Sequence, residues 1–382
     1  MKKCINVFNR DKHEPTISEL KMSFIAPLYS GFKILNVLWS RWRRTIPSYL
    51  PILIAFVTYR CNLRCVMCGL CELREHSNPD ELTTEEWKSI IQSAKKLGTF
   101  IISISGGEPL LRKDLEEIIC CAEKNKISTH LCTNGTLIDI DRAKTLRDSG
   151  LKTISFSLDS ANEKIHDAIR GKGQYQKTIA GIQNIRCIAP EIRVSINTVM
   201  TKTNFKDISS LVPLAKKLGA VQIKFAPIHS NLLHRYKNEK VWEELFFNEK
   251  ELQELDNELT KAKNLCKTEG ILTTSDRFYS GISKSFIQQN IFTCFAGFLD
   301  CTVTPNGKIG ACCDIESNLS LREQPLDEIW RSAEFHAVRQ KVIQCKKYCW
   351  DTTNTEFSLR LNPRTIVAEL PTMLKEVLFY LK

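Results

Sequence analysis

The chain has 382 residues, 43% hydrophobic and 25% charged, with 54 basic against 43 acidic side chains and a net charge of +11. This is globular composition with room for one large domain and smaller pieces, and it excludes collagen-like, low-complexity and solenoid architectures. Spread over this length the charge reads as a solvated basic surface, and no nucleic-acid partner is expected.

The N-terminal stretch MKKCINVFNRDKHEPT has no apolar export core before Asp11. With 16 cysteines, a reducing, cytoplasmic setting is expected, where clustered thiols favour metal or catalytic roles over disulfides. Residues 1–50 form a first, helical segment. Within it MSFIAPLYSGFKILNVLW (22–39) comes closest to a membrane span, but Pro27, Ser30, Gly31 and Lys33 interrupt it and it is short for a bilayer. As a helix it is amphipathic. Leu28, Phe32, Leu35, Trp39 and Trp42 fall on one face, and Ser30, Lys33, Ser40, Arg41 and Arg44 fall opposite. Two readings stand: an interfacial helix in peripheral contact with a membrane, as WSRWRR suggests, or a face packed on the protein's own core.

From residue 51 to 230 apolar, β-branched runs alternate with helical patterns. Strands are expected at 52–58, 100–105, 127–132, 152–158, 192–199 and 220–225. Helices are expected from about 83, where LTTEEW supplies a cap, and at 112–125, 138–149, 176–188 and 205–218. The strand runs look nearly continuous in apolar character, as strands covered on both faces would be. Six such units predict an α/β fold, a partial (β/α)6 TIM-like barrel. A helical linker (231–270) leads to a small C-terminal cysteine-rich α+β module (271–352), with a hairpin turning at Asn306-Gly307. A helical tail (353–382) follows, with Leu370, Leu374, Val377 and Leu381 on one face.

The chemistry concentrates after the first strand, in CNLRCVMC: Cys61, Cys65 and Cys68. A zinc site would want four ligands, and Cys71 offers a fourth. An iron–sulfur cube tied by three thiolates would leave one iron open. One strand later comes GGEP, residues 106–109. CNLRCVMC followed by GGEP, in that strand context, resembles the radical S-adenosylmethionine (SAM) superfamily over about residues 50–230. The resemblance implies a 4Fe–4S cluster on Cys61, Cys65 and Cys68, its open iron chelated by the methionine end of SAM. Met67 stands where the family prefers an aromatic residue. Gly106, Gly107, Glu108 and Pro109 match the motif that receives the methionine ammonium, glycines allowing close backbone approach. Asn134 in TNG, Ser157 and Asp159 in SFSLDS (the ribose), Arg170 in HDAIRG (the methionine carboxylate) and Asn197 are the further positions it implies. The implied reaction is reductive cleavage of SAM, with hydrogen abstraction from an unactivated carbon by a 5′-deoxyadenosyl radical. An electron donor such as flavodoxin or ferredoxin is implied with it.

In the C-terminal module Cys294 and Cys312 flank the hairpin, and Cys345 and Cys349 follow in CKKYC. This resembles the auxiliary-cluster extension called SPASM, or its shortened form Twitch. It implies one auxiliary 4Fe–4S cluster on these four cysteines, with Cys301 and Cys313 as alternates; a structural zinc on the same four is the competing reading. The remaining cysteines, Cys187 among them, read as packing residues. The substrate is a small molecule, a lipid-linked precursor or a peptide. About 50 residues precede the barrel, too few for the recognition domain of peptide-modifying relatives, so a sugar, lipid or cell-envelope precursor is favoured over a peptide maturase. A non-catalytic zinc-binding scaffold is the reading of another class.

Overall fold

A computed structural model describes residues 32–70, 80–228, 245–287, 292–347, 349–362 and 366–381. Leu28, Ser30, Cys71 and the start of the expected linker lie outside the described residues, as do the side chains of Leu370, Leu374, Val377 and Leu381.

Nine strands form one sheet: β1 (Ile52–Thr58), β2 (Ile101–Gly106), β3 (Ser128–Thr133), β4 (Thr153–Ser157), β5 (Arg193–Met200), β6 (Gln222–Pro227), β7 (Asp300–Val303), β8 (Lys308–Cys312) and β9 (Ile315–Ser320). Their order is β6-β5-β4-β3-β2-β1-β7-β8-β9. The first six run parallel, and the edges β6 and β9 leave the barrel open. β7 adds to β1 in parallel, and β8 and β9 extend the sheet as antiparallel hairpins. The C-terminal module thus shares its hydrogen-bonded framework with the barrel.

Strand alternation sorts the two faces. Ile102, Ile104, Leu131, Ile154, Phe156, Val194, Ile196, Ile223 and Phe225 point outward and share one core with Trp87, Ile118, Leu146 and Ile182 of the surrounding helices. The helix Thr84–Lys96 starts on a capping box between Thr83 and Glu86, the cap expected from LTTEEW. The inner face departs from the expected apolar continuity. Ser103, His130, Cys132, Ser155, Asn197 and Lys224 line a cavity of about 60 Å³ inside the barrel. A helix at Glu163–Arg170 was not foreseen, and the stretch 205–218 divides into a 3-10 turn (Phe205–Ser210) and a helix (Leu211–Lys217).

The C-terminal helix Ile366–Leu381 closes the lower end of the barrel. Phe379 and Tyr380 pack with Ile101 near the strand starts. Lys224 Nζ donates to Tyr380 Oη at 2.9 Å, Ser128 Oγ donates to the Tyr380 carbonyl, and the Tyr380 ring meets His130 edge-on at 5.2 Å. The N-terminal helix, residues 32–43, docks through Val37, Ile34 and Leu38 onto Ile52, Ile54 and Phe298. The outcome for this helix is the reverse of a core-packed apolar stripe. Lys33 and Ser40 are buried, while Phe32, Leu35, Trp39 and Trp42 face outward. Lys33 manages burial by donating to the Gly98 carbonyl at 2.6 Å. Cys187 is disulfide-bonded rather than a packing thiol.

His130 holds both ring nitrogens against hydroxyls, Nδ1 at 2.7 Å from Thr153 Oγ1 and Nε2 at 3.1 Å from Ser155 Oγ. Burial, helped by Lys224, lowers its pKa from 6.5 to about 3. Between those values the unfolded chain takes a proton that the folded chain refuses, so stability falls as pH drops through this window. Replacing His130→Gln is expected to flatten that dependence by up to about 1.4 kcal/mol per pH unit. Urea unfolding at several pH values checks this; an unchanged slope would mean that the folded protein accommodates the imidazolium.

Candidate active site at the C-terminal ends of the strands

The loop after β1 carries Cys61, Cys65 and Cys68, all half-buried. Several bonds set its path. Leu63 N donates to Cys61 Sγ at 3.4 Å and Cys68 N to the Cys65 carbonyl at 3.1 Å. Val66 N donates to the Ile169 carbonyl at 3.0 Å, tying the loop to the helix Glu163–Arg170. Asn62 joins it to the loop after β3: its Nδ2 donates to Thr136 Oγ1, and its Oδ1 accepts from Asn134 Nδ2, both at 2.9 Å.

The two glycines after β2 meet this loop directly. Gly107 N donates to the Thr58 carbonyl at 2.7 Å and Glu108 N to the Arg60 carbonyl at 2.8 Å. A Cβ on Gly106 would stand 2.2 Å from the Thr58 oxygen, and one on Gly107 2.2 Å from the Arg60 oxygen. Gly106 also has φ of +134°, a conformation side chains avoid. Glu108 is fully buried. It accepts from Leu110 N at 3.1 Å, Thr133 Oγ1 at 2.7 Å and Asn134 N at 2.8 Å. Burial raises its carboxyl above the ordinary carboxylate range, against those three bonds. Pro109 opens a short 3-10 turn behind it. GGEP thus joins the ends of β1, β2 and β3.

Asp159 and Arg170 are brought together. The guanidinium forks onto the carboxylate, Nε to Oδ2 at 2.5 Å and Nη2 to Oδ1 at 3.3 Å, and Asp159 Oδ1 also accepts from Val199 N at 2.9 Å. Arg170 Nη1 reaches Cys65 Sγ at 3.8 Å. Burial opposes its charge, but Asp159 and the thiols of Cys65 and Cys68 more than reverse that and raise its pKa. Ser157 and Asn197 are register partners on β4 and β5. The Asn197 Oδ1 is buried without a hydrogen-bond partner. Sequence reasoning missed Asn62, Thr133 and His166. His166 Nδ1 accepts from Asp159 N at 3.2 Å, and burial lowers its pKa to about 4. The polar neighbours of the motifs, Asn62 inside CNLRC and Thr133 before Asn134, were the available signal.

In the C-terminal module burial is the larger cause of the raised pKa of Cys294 and Cys349; Cys349 and Cys312 add to it at Cys294, and Cys312 adds to it at Cys349. Burial lifts Cys312 to about 12. Cys345 is exposed and acts on Cys349 from the rim. Cys313 feels both Cys312 and Cys349. Cys301 lies in the core on β7. Arg41 of the N-terminal helix donates to the Cys294 carbonyl at 2.9 Å. Among the described residues no three His, Cys, Asp or Glu side chains are placed to hold a single metal ion; a four-iron cube spreads its thiolates over separate corners.

An open parallel sheet with a three-cysteine loop after its first strand, and a second thiol group in an appended module, is the arrangement expected of an iron–sulfur enzyme of the radical type. The model of the radical SAM superfamily matches residues 56–214, and that of an iron–sulfur cluster-binding domain, SPASM, matches residues 294–351. An AdoMet-dependent heme synthase of Methanosarcina barkeri is 32% identical over 78% of this chain and 87% of its own. Mycofactocin maturase of Mycolicibacterium smegmatis is 28% identical over 67% of this chain and 62% of its own. Streptococcus suis SuiB bound to S-adenosylmethionine has the same fold, with a TM-score of 0.61 at 20% identity over 77% of this chain and 68% of that one. The chain belongs to the radical SAM superfamily and carries a C-terminal SPASM domain. It is an enzyme whose cofactors are SAM, a 4Fe–4S cluster and auxiliary iron–sulfur clusters. The residues suit such groups: three thiols on one loop, a buried cation beside them, and an orphaned acceptor, Asn197 Oδ1, on the neighbouring sheet face.

Gly107→Ala is expected to push the cysteine loop away from β2, because the clash is with backbone rather than a movable side chain. The variant should fold but retain little iron after anaerobic reconstitution, read as iron per chain and visible absorption. Iron content equal to the parent's would show that the loop does not depend on this contact.

Proposed function

We propose that Cys61, Cys65 and Cys68 hold the SAM-binding 4Fe–4S cluster, and that Cys294, Cys312, Cys345 and Cys349 hold an auxiliary one. The observation that carries this is the convergence of the cysteine loop, GGEP and the Asp159–Arg170 pair at the strand C-termini. When bound, a cluster on Cys61, Cys65 and Cys68 would supply the one-electron chemistry for reductive cleavage of SAM. The chain's own residues divide the remaining work. Arg170 presents a fixed cation beside Cys65, suited to the methionine carboxylate. The Gly106–Gly107 backbone and Glu108 edge the position for the ammonium. Ser157 and Asn197 face the barrel interior, where ribose and substrate hydroxyls would find partners. Asn134 and Asp159 act by position, one holding the cysteine loop and the other orienting Arg170. An external one-electron carrier of the flavodoxin or ferredoxin kind completes the system.

For the substrate we favour a small molecule of the sugar, lipid or cell-envelope-precursor class. The long alignment with a protein whose named product, heme, is not a peptide supports a non-peptide substrate, and so does the helix with its outward Trp–Arg face. No described helix is long and apolar enough to cross a membrane; our reading is a cytoplasmic enzyme touching a membrane peripherally through residues 32–43. A second reading, a peptide maturase, draws on the likeness to mycofactocin maturase and to SuiB, one structure of which is bound to the precursor peptide SuiA.

With dithionite and SAM under anaerobic conditions, the parent enzyme should release 5′-deoxyadenosine, and Cys61→Ala/Cys65→Ala/Cys68→Ala should release none. Release by that variant would defeat the cluster assignment. Lipid-linked sugars and short peptides, added in parallel, should differ in how strongly they stimulate release; stimulation by peptide alone would decide for the maturase reading.

A further inference from the structure

Helix 32–43 has two apolar faces and uses only one. Its inner face is fixed by Val37, by Lys33 on the Gly98 carbonyl and by Arg41 on the Cys294 carbonyl. Its outer row stays in solvent: Phe32 is 60% exposed, Leu35 63%, Trp39 58% and Trp42 71%. At spacings of three and four these form one stripe along the whole helix. The Trp39 and Trp42 rings pack at 5.4 Å, and the Arg43 guanidinium lies 5.6 Å over Trp39. Every charged side chain from residue 20 to residue 71 is basic. Behind the stripe is a cavity of about 640 Å³, walled by Leu38, Phe295 and Leu359 and lined at the side by Arg44 and Arg277.

We infer that this face binds an anionic phospholipid surface, with Trp39 and Trp42 entering the headgroup boundary and Arg43 and Arg44 meeting phosphates. Two arguments favour lipid over protein. The stripe offers roughly 500 Å² of apolar area from four side chains, below the ~800 Å² per partner of a standard protein interface. Its chemistry, Trp and Arg mixed on one helix within a stretch, 20–71, that carries no acidic residue, is that of an interfacial helix attracted to negative headgroups. The cavity is walled mainly by apolar side chains, a character that suits an acyl chain. The inference deepens the peripheral placement proposed for the enzyme and does not depend on which substrate it uses.

The test floats the full-length protein with unilamellar vesicles of phosphatidylcholine, with and without phosphatidylglycerol. The parent should float with the anionic vesicles and bind the neutral ones or high-salt samples roughly tenfold more weakly. Trp39→Ser/Trp42→Ser should lose roughly tenfold on anionic vesicles, and Arg43→Glu/Arg44→Glu should lose the dependence on phosphatidylglycerol. Both variants should keep the parent's release of 5′-deoxyadenosine in solution, which separates this inference from the cofactor assignment. Parent protein that stays in the aqueous phase, or a Trp variant that floats like the parent, overturns it. So does a doubled mass on gel filtration abolished in the Trp variant, which would give the face to a second copy of the chain.

Discussion

Everything at the active end depends on two backbone carbonyls, those of Thr58 and Arg60. They leave β1 at the point where its cysteine loop begins, and they accept from Gly107 N and Glu108 N. The approach is so tight that neither Gly106 nor Gly107 has room for a methyl group. This contact fixes the root of the cysteine loop to the end of β2, and Glu108 carries the constraint on to β3 through Thr133 and Asn134. Asn134 then returns to the loop through Asn62. The result is a closed circuit of hydrogen bonds over three strand ends. A loop that must present three thiols in one geometry gains its order from this circuit rather than from secondary structure of its own.

β1 has a second role. It pairs with β2 on one side and with β7 on the other, both in parallel. The cysteine loop continues one end of this strand, while Cys312 ends β8, the strand antiparallel to β7. Both thiol groups are therefore referred to one continuous sheet. Helix 32–43 adds a third tie, since it rests on Ile52 and Ile54 of β1 and donates from Arg41 to the Cys294 carbonyl. The auxiliary module is in this sense an extension of the barrel's framework.

Much of this was legible in the sequence because the relevant signals are local. The six parallel strands announced themselves as β-branched runs, the first helix by its capping box, the hairpin by Asn306-Gly307, and the cysteine loop and GGEP by spacing. The inner face of the barrel was misjudged: in IISISG and STHLCT the serines and histidine alternate with apolar residues, and that period-two signal already separates a dry outer face from a polar inner one. The N-terminal helix shows the limit of pattern alone. Its hydrophobic stripe was correctly located, but Val37, Ile34 and Leu38 form a second apolar face, and only tertiary contact decides which of the two is buried. Asp159 and Arg170, eleven positions apart, each had a separate expected role; that they fork onto one another depends on the helix Glu163–Arg170, which the sequence did not announce.

That pair merits a physical account of its own. A buried guanidinium beside thiols is costly unless a carboxylate compensates it, and Asp159 does so by accepting from Arg170 Nε and Nη2 while a further bond accepted from Val199 N locks its orientation. The pair has little net charge, yet it holds a cation at a fixed place next to Cys65. Thiols must be deprotonated to become metal ligands. The raised pKa of Arg170 expresses its attraction to Asp159 and to the sulfurs of Cys65 and Cys68, which outweighs the cost of burying its charge. Asp159 therefore serves two opposed requirements at once: it makes the arginine tolerable in the apo chain and leaves one of its nitrogens, Nη1, directed at sulfur. Removing the carboxylate would free the guanidinium to swing, whereas removing the guanidinium would leave the fully buried Asp159 carboxylate without its paired cation. The two halves of this pair are for that reason not interchangeable in their consequences, although they form a single ion pair.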